Sequence, residues 1–164
     1  MRHGEGIYEY VSKGHNEETQ VTYKGGWENN LKSGIGKQIY ADKGVYNGYW
    51  QDGLRHGEGV MTYKNTDLYS GNWVRGEKEG KGTYIFEKTG QKYTGFFMKG
   101  QMVNGKWIYP NGTSFNGNFE NNKPKGKGTW SFENGNVVDG AYRQMRRADT
   151  DAADDIKITW TTAK

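Results

Sequence analysis

The sequence contains no cysteine, only two prolines and no long apolar run. The absence of cysteine excludes disulfides and thiolate metal sites, and it fits a reducing compartment. No apolar stretch approaches the roughly 20 residues that a transmembrane helix needs. Because the first residues are not typical of a signal peptide either, we expect a cytoplasmic protein that does not associate with membranes.

Hydrophobic residues are also scarce. They make up 32% of the chain and the mean hydropathy is −1.06, which argues against a thick two-layer core. Aromatic residues, at 15%, are abundant enough to predict a folded protein, since disordered chains are poor in them. The net charge of +4 is small and its basic residues are spread along the chain, so no nucleic-acid partner is indicated.

The chain repeats one unit of about 23 residues. Each copy opens on an aromatic residue, and successive openings are 23, 23, 24 and 22 residues apart, at Tyr23, Tyr46, Tyr69, Tyr93 and Phe115. Such a period is typical of arrays whose units bury their apolar faces against their neighbours. The copies lack the period of an amphipathic helix.

Each copy divides into two short strands with aromatic side chains on one face. Alternation places Tyr46 and Trp50 on that face in the first strand of one copy, and Met61 and Tyr63 in its second strand. The opposite face carries mostly Asn, Lys, Thr and Glu. We predict that the aromatic residues pack on each other and also bind partner segments; this aromatic face comprises Tyr23, Trp27, Tyr40, Tyr46, Trp50, Tyr63, Tyr69, Trp73, Tyr84, Phe86, Tyr93, Phe97, Trp107, Tyr109, Phe115, Phe119, Trp130 and Phe132.

Turn residues separate the strands at equivalent places. Glycine or asparagine, the residues that best tolerate positive φ, stands at Asn30, Gly53, Gly76, Gly100 and Asn122. Residues 23–142 then contain five full copies and a terminal half copy. With the half copy at the start, about twelve strands are expected in an all-β, elongated, single-layer antiparallel meander of hairpins.

Residues 1–22 form a half repeat with an extended loop. Residues 2–6 repeat residues 55–59 letter for letter, so the chain opens in the second half of a copy. Either this is a truncated end, or a partner, such as another copy or a related repeat protein, supplies the missing strand beside residues 7–10. The spacing to Tyr23 predicts a long polar loop at residues 12–20.

The fourth copy and the tail depart from the repeat. The fourth copy is one residue short, and we expect a bulge there with Met102 and Val103 exposed as a candidate contact. In the tail, residues 143–164, a charged connector leads to Ile156, Ile158 and Trp160, whose alternation indicates one more strand. That strand either caps the array or binds a partner.

No residues indicate catalysis, a cofactor or a metal site. His3 and His56 occupy one turn position in two copies, and His15 beside Glu17 in the loop is too sparse for a metal. The sequence GEKEGKGT at residues 76–83 lacks the spacing and the following helix of a phosphate-binding loop. We therefore expect a protein that is not an enzyme.

The repeat resembles the MORN (membrane occupation and recognition nexus) repeat. Its pattern, Tyr-x-Gly-x-Trp/Phe, then two residues, Gly or Asn, three residues and Gly-x-Gly, begins at Tyr46 and again at Tyr69, and the similarity covers about residues 1–142. The resemblance implies a single-layer sheet of hairpins. It also raises the alternative that the module binds anionic phospholipid or tethers proteins at a membrane or the cytoskeleton.

Within that family, the chain is similar to the radial spoke head protein 1 family of motile cilia and flagella. The similarity lies in the run GTYIFEKTGQKYTG at residues 82–95, the short copy that begins at Gly100, the run NNKPKGKG at 121–128 and the tail near Trp160. This resemblance implies a structural subunit of the radial spoke head in the axoneme, with the other spoke head proteins as partners and a role in cilium movement.

Overall fold

A computed structural model describes residues 1–13, 18–146 and 156–163, and in this part of the chain it contains one antiparallel sheet and no helix. The thirteen strands lie side by side in chain order. They are β1 (Gly4–Lys13), β2 (Glu18–Glu28), β3 (Leu31–Tyr40), β4 (Gly44–Gln51), β5 (Leu54–Tyr63), β6 (Leu68–Val74), β7 (Glu77–Phe86), β8 (Gln91–Met98), β9 (Gln101–Ile108), β10 (Ser114–Glu120), β11 (Lys123–Ser131), β12 (Val137–Arg146) and β13 (Ile156–Thr162). The predicted all-β, single-layer meander is confirmed.

A row of paired glycines crosses twelve of the strands, from Gly6 in β1 to Gly140 in β12. Tyrosine rings lie on these glycines. A Cβ atom added at Gly59 would lie 2.5 Å from Cζ of Tyr46, and one at Gly82 would lie 2.7 Å from Cζ of Tyr69. At these two positions glycine is required because rings of the aromatic face occupy the space that a side chain would need.

The hairpins within the copies close through two-residue turns in which both residues have positive φ. The second turn residue has φ of 67° at Asn30, 78° at Gly53 and 87° at Gly76, as the sequence predicts, and the same holds at Gly100 and Asn122. The first has φ near 50° as well, even at Arg75 and Lys99. This is the turn whose twist matches that of a β-hairpin.

A bulge follows each turn and brings the chain back into register. In the second copy it lies between Gly48 and Trp50 of β4, opposite the stretch that contains Gly57, whose φ is +59°. Gly34, Gly80 and Gly126 occupy equivalent bulges with φ between 67° and 73°. The first glycine of each Gly-x-Gly pair thus provides the left-handed backbone, and the second belongs to the glycine row.

At the start of the chain the structure differs from the predicted loop, whereas at the end it agrees with the predicted tail strand. The predicted loop at residues 12–20 is shorter, because Ser12 pairs with Thr19 and Lys13 with Glu18, which extends β1 and β2. The remainder of that loop, including His15 and Glu17, lies outside the described residues, as does most of the charged connector. At the other end β13 pairs with β12 from Gly140–Thr162 to Arg146–Ile156, so the tail forms the additional strand that its alternation indicates. The described part of the chain contains no helix that is long and apolar enough to cross a membrane.

Candidate interaction face

The aromatic face is held together by edge-to-face contacts between copies. The Trp73 ring lies 5.4 Å from the Tyr46 ring of the preceding copy and 5.2 Å from the Tyr69 ring of its own copy, nearly perpendicular to both. Trp50 lies in the same way between Tyr23 and Tyr46, at 5.3 and 5.2 Å. Each tryptophan therefore joins two copies, which is the geometry that aromatic pairs prefer.

The polar atoms of these rings are satisfied by backbone carbonyls. The Tyr46 hydroxyl donates to the carbonyl of Tyr49 at 3.0 Å, and the Tyr69 hydroxyl donates to that of Asn72 at 3.1 Å. The indole N–H of Trp73 donates to the carbonyl of Gly59 at 3.2 Å. Tyrosine and tryptophan can therefore be buried here without leaving a polar atom unpaired.

The structure divides the predicted partner-binding rings into two sets of nine. The first set is buried and forms the core: Tyr23, Trp27, Tyr46, Trp50, Tyr69, Trp73, Phe97, Phe115 and Phe119. The second set is half-buried or exposed on the same face: Tyr40, Tyr63, Tyr84, Phe86, Tyr93, Trp107, Tyr109, Trp130 and Phe132. Only the second set is accessible to a partner, and its binding role stays a prediction.

The expectation that Met102 is exposed is wrong. Val103 stands at the position of the first glycine of the pair, which in other copies has a positive φ that a β-branched residue does not tolerate. The fourth copy instead has a bulge that is one residue shorter, opposite Phe96 and Phe97. Met102 pairs with Phe97 on the aromatic face and is fully buried, and Val103 is half-buried.

Met102 changes its neighbours. Its Cε lies against the glycine row at Gly105, the space that a tyrosine or phenylalanine ring fills in the other copies. Tyr93, which opens this copy, is displaced: its hydroxyl donates to the carbonyl of Asn122 at 3.1 Å, and its ring packs on Phe119 at 5.6 Å. The predicted bulge is therefore confirmed, but Met102 beside it is buried rather than exposed.

The predicted tail residues Ile156, Ile158 and Trp160 lie in β13. Ile156 begins β13, and the side chain of Ile158 is 36% exposed. Trp160 is half-buried, 4.8 Å from the Tyr142 ring and 6.0 Å from the Phe115 ring. Trp160 thus continues the core of the aromatic face into the last strand.

The sequence interpretation missed a row of basic side chains over the aromatic face. Arg55 lies 4.4 Å from the centre of the Trp73 ring, and Lys32 lies 4.7 Å from that of Trp50. Lys78 lies 4.9 Å from the Tyr84 ring. We call this set the cation row; its members are Arg2, Lys32, Arg55 and Lys78. The signal in the sequence was a basic residue two positions after each of the first three turns, at Lys32, Arg55 and Lys78.

A second residue that was missed is Asp67, which is buried between two copies. Its carboxylate accepts hydrogen bonds from the Tyr84 hydroxyl at 2.8 Å, the Asn65 amide at 2.8 Å and the backbone N–H of Glu87 at 3.0 Å. Asp67 therefore fixes two connectors against each other.

The opposite face, called the second face below, is less polar than the sequence pattern suggests. Lys24, Lys37 and Lys106 are exposed on it, as expected. However, Ile35, Tyr49 and Phe96 are also between 48% and 67% exposed there and border an open groove of about 790 Å³.

Burial changes the ionisation of the aromatic face. Burial raises the pKa of Tyr23 to about 12, and burial together with nearby Tyr109 raises that of Tyr93 to about 12. Burial also raises the pKa values of Tyr46 and Tyr69. These hydroxyls therefore remain neutral donors at physiological pH. No three His, Asp or Glu side chains cluster as metal ligands would within the described residues.

Comparison with protein families agrees with a sheet built of repeated hairpins. The family model of the MORN repeat matches residues 1–15, 23–45, 46–67, 69–90, 93–114 and 115–137, which together cover most of the chain. The chain belongs to the MORN repeat family. MORN repeats are in general non-catalytic modules for interaction with proteins or membranes. A search of curated proteins found no match to this MORN chain.

Proposed function

We propose that this MORN protein is a non-catalytic scaffold that holds protein segments on its aromatic face. The observation that carries the proposal is the uncovered state of that face. No second layer of described residues packs on the sheet, so the nine accessible rings of the aromatic face remain open to a partner. Aromatic side chains held rigidly in a row are typical anchors of protein interfaces.

We further propose that the scaffold belongs to the head of the ciliary radial spoke, in the axoneme of cilia or flagella. This narrower proposal is supported by the sequence resemblance at residues 82–95, in the short fourth copy and at residues 121–128. In such an assembly the sheet acts as a stiff plate, and other spoke head proteins are its partners. Spoke assembly and cilium movement then depend on it.

Detergent extraction of motile cilia tests this function. Retention of the protein in the axoneme, with loss from axonemes that lack radial spokes, is the expected result. Release with the membrane fraction would favour the anionic phospholipid alternative. Retention in spokeless axonemes would contradict the spoke assignment while leaving a cytoskeletal scaffold in place.

Substitutions on each face of the sheet test which face binds partners. Replacing Tyr63, Phe86 and Tyr109 by alanine removes accessible rings of the aromatic face, and we expect binding to purified spoke heads to be lost. Replacing Ile35 and Tyr49 by serine removes exposed apolar groups from the second face and serves as the control. Loss of binding in the control alone would overturn the choice of face.

A further inference from the structure

The four cations of the cation row occupy one repeated backbone position. In every case the carbonyl group of the cation accepts a hydrogen bond of 2.9 to 3.1 Å from the second turn residue of the next hairpin; these bonds join Arg2 to Asn30, Lys32 to Gly53, Arg55 to Gly76 and Lys78 to Gly100. Lys32, Arg55 and Lys78 therefore lie on β3, β5 and β7, two strands apart, and Arg2 lies just before β1. At about 4.8 Å per strand, their spacing is about 9.6 Å.

The cation row has no carboxylate partners within the described part of the chain, where the one ion pair joins Lys125 and Glu120. Arg55 donates to the carbonyl of Gly76 at 2.6 Å, and Lys32 donates to the side-chain oxygen of Gln38. Burial lowers the pKa of Lys32, and burial together with nearby Arg55 lowers that of Lys78. A bound anion would offset this unfavourable environment.

A groove on the aromatic face opens beside two of these cations. It has a volume of about 580 Å³ and exposes Arg55 and Lys78 together with the Tyr63 and Tyr84 rings. Five basic residues line it against two acidic ones, Asp42 and Glu77. The groove thus combines aromatic walls with an excess of positive charge.

The row ends abruptly in the fourth copy. The equivalent positions there and in the fifth copy are Met102 and Pro124, which pair with Phe97 and Phe119 as Arg55 pairs with Trp50. Both are fully buried. The aromatic face is therefore cationic over its first seven strands and apolar beyond them.

We propose that the cation row binds an extended acidic peptide segment of a partner protein in the polyproline II conformation. This proposal rests on the proposed scaffold function and names the chemistry of its partner. A polyproline II helix has three residues per turn and a rise of about 3.1 Å per residue, so every third side chain lies on one side at intervals of about 9.3 Å. Carboxylates at every third residue match the cation row, and the aromatic walls suit such a helix.

A spacing series of synthetic peptides tests this match with the full wild-type chain. The probe is fluorescein-labelled (Glu-Pro-Pro)4, with (Gln-Pro-Pro)4 as the uncharged control and (Glu-Pro-Pro-Pro)4, which has the same number of glutamates, as the control for spacing. Fluorescence anisotropy at moderate salt is expected to show binding of the first peptide at least about tenfold tighter than either control. Equal binding of the two acidic peptides, or no binding of either, would overturn the proposal.

Charge-matched variants locate the site. Arg55→Gln with Lys78→Gln is expected to weaken binding of (Glu-Pro-Pro)4 by about tenfold or more. Lys37→Gln with Lys81→Gln removes the same charge from the second face and is expected to leave binding unchanged, and circular dichroism verifies that both variants are folded at the assay temperature. Equal losses in the two variants would show nonspecific charge attraction and refute the site.

Binding to lipid vesicles distinguishes a membrane partner from a peptide partner. Binding to phosphatidylserine–phosphatidylcholine vesicles that depends on Arg55 and Lys78, without peptide binding, would replace this proposal. Failure of the peptide with retention of the protein on spoke-bearing axonemes would reject the acidic partner and keep the scaffold function. If the protein binds the peptide but is absent from axonemes, the acidic partner is kept and the proposed function in the axoneme is rejected.

Discussion

The Tyr46 ring occupies the space that a side chain at Gly59 would need. A methyl group at Gly59 would lie 2.5 Å from Cζ of Tyr46, and this ring is held between Trp50 and Trp73 at 5.2 and 5.4 Å, so it has no room to move. We expect Gly59→Ala to lower the free energy of unfolding by about 1 to 3 kcal/mol, measured by chemical denaturation.

Gly6 provides the matched control for that substitution. It belongs to the same row of paired glycines, but the nearest atoms to an added methyl group are in Trp27 at 3.6 and 3.7 Å, an ordinary contact distance. Gly6→Ala should be neutral or slightly stabilising. Equal destabilisation by both substitutions would show that the tyrosine ring is not the reason for glycine.

Trp73 joins two copies, and its removal should be among the most damaging single changes. The residue is 2% exposed and contacts Tyr46 and Tyr69. Trp73→Ala is expected to cost about 3 to 5 kcal/mol in unfolding free energy. Phe132→Ala, at a ring that is 41% exposed, should cost less than about 1 kcal/mol. Near-identical melting of the two variants would contradict the buried role of Trp73.

At the scale of elements, β13 covers the end of the array. Trp160 packs on Tyr142 and lies against Gly140, so Trp160→Ala should loosen β12 and β13. Because each strand contacts mainly its neighbours, amide exchange should rise at least about tenfold in these two strands and remain unchanged in β4 to β6. Ile158→Ala is the control, since this side chain is 36% exposed.

Exchange that rises equally in all strands after Trp160→Ala would contradict nearest-neighbour coupling. An unchanged β12 would instead show that the tail does not stabilise the sheet.

The elements were largely predictable, because period and turn chemistry agree. The spacing of Tyr46 and Tyr69, with Gly53 and Gly76 between strands, predicts hairpins, and the structure has them. The burial of Met102 was not predicted, since its position pairs with Phe97 as that of Arg55 pairs with Trp50 and therefore faces the aromatic rings. Bulges also hide which residues after a turn reach the aromatic rings, which is why the cation row was missed.

At the scale of the whole molecule, the face of stacked rings predicts sensitivity to alkaline pH. Burial raises the pKa values of Tyr23, Tyr46, Tyr69, Tyr84 and Tyr93 above the ordinary value of about 10. Between about pH 10 and 12 the unfolded chain therefore releases protons that the folded chain keeps, so stability falls as pH rises.

The lowered pKa values of Lys32 and Lys78 act in the opposite direction over that range. They are two groups against eight, because burial also raises the pKa values of Tyr63, Tyr109 and Tyr142. Chemical denaturation from pH 8 to 12 should show a net fall in the midpoint above pH 10. A midpoint that stays constant to pH 12 would show that the tyrosine hydroxyls are not protected by folding.

The central claim is that partners bind the aromatic face, and lysine cross-linking with mass spectrometry on isolated axonemes tests it most directly. Lys43, Lys64 and Lys99 are exposed beside the groove of the aromatic face, whereas Lys24, Lys37 and Lys106 are exposed on the second face. Cross-links to partner proteins are expected mainly from the first set. Cross-links mainly from the second set would contradict the claim.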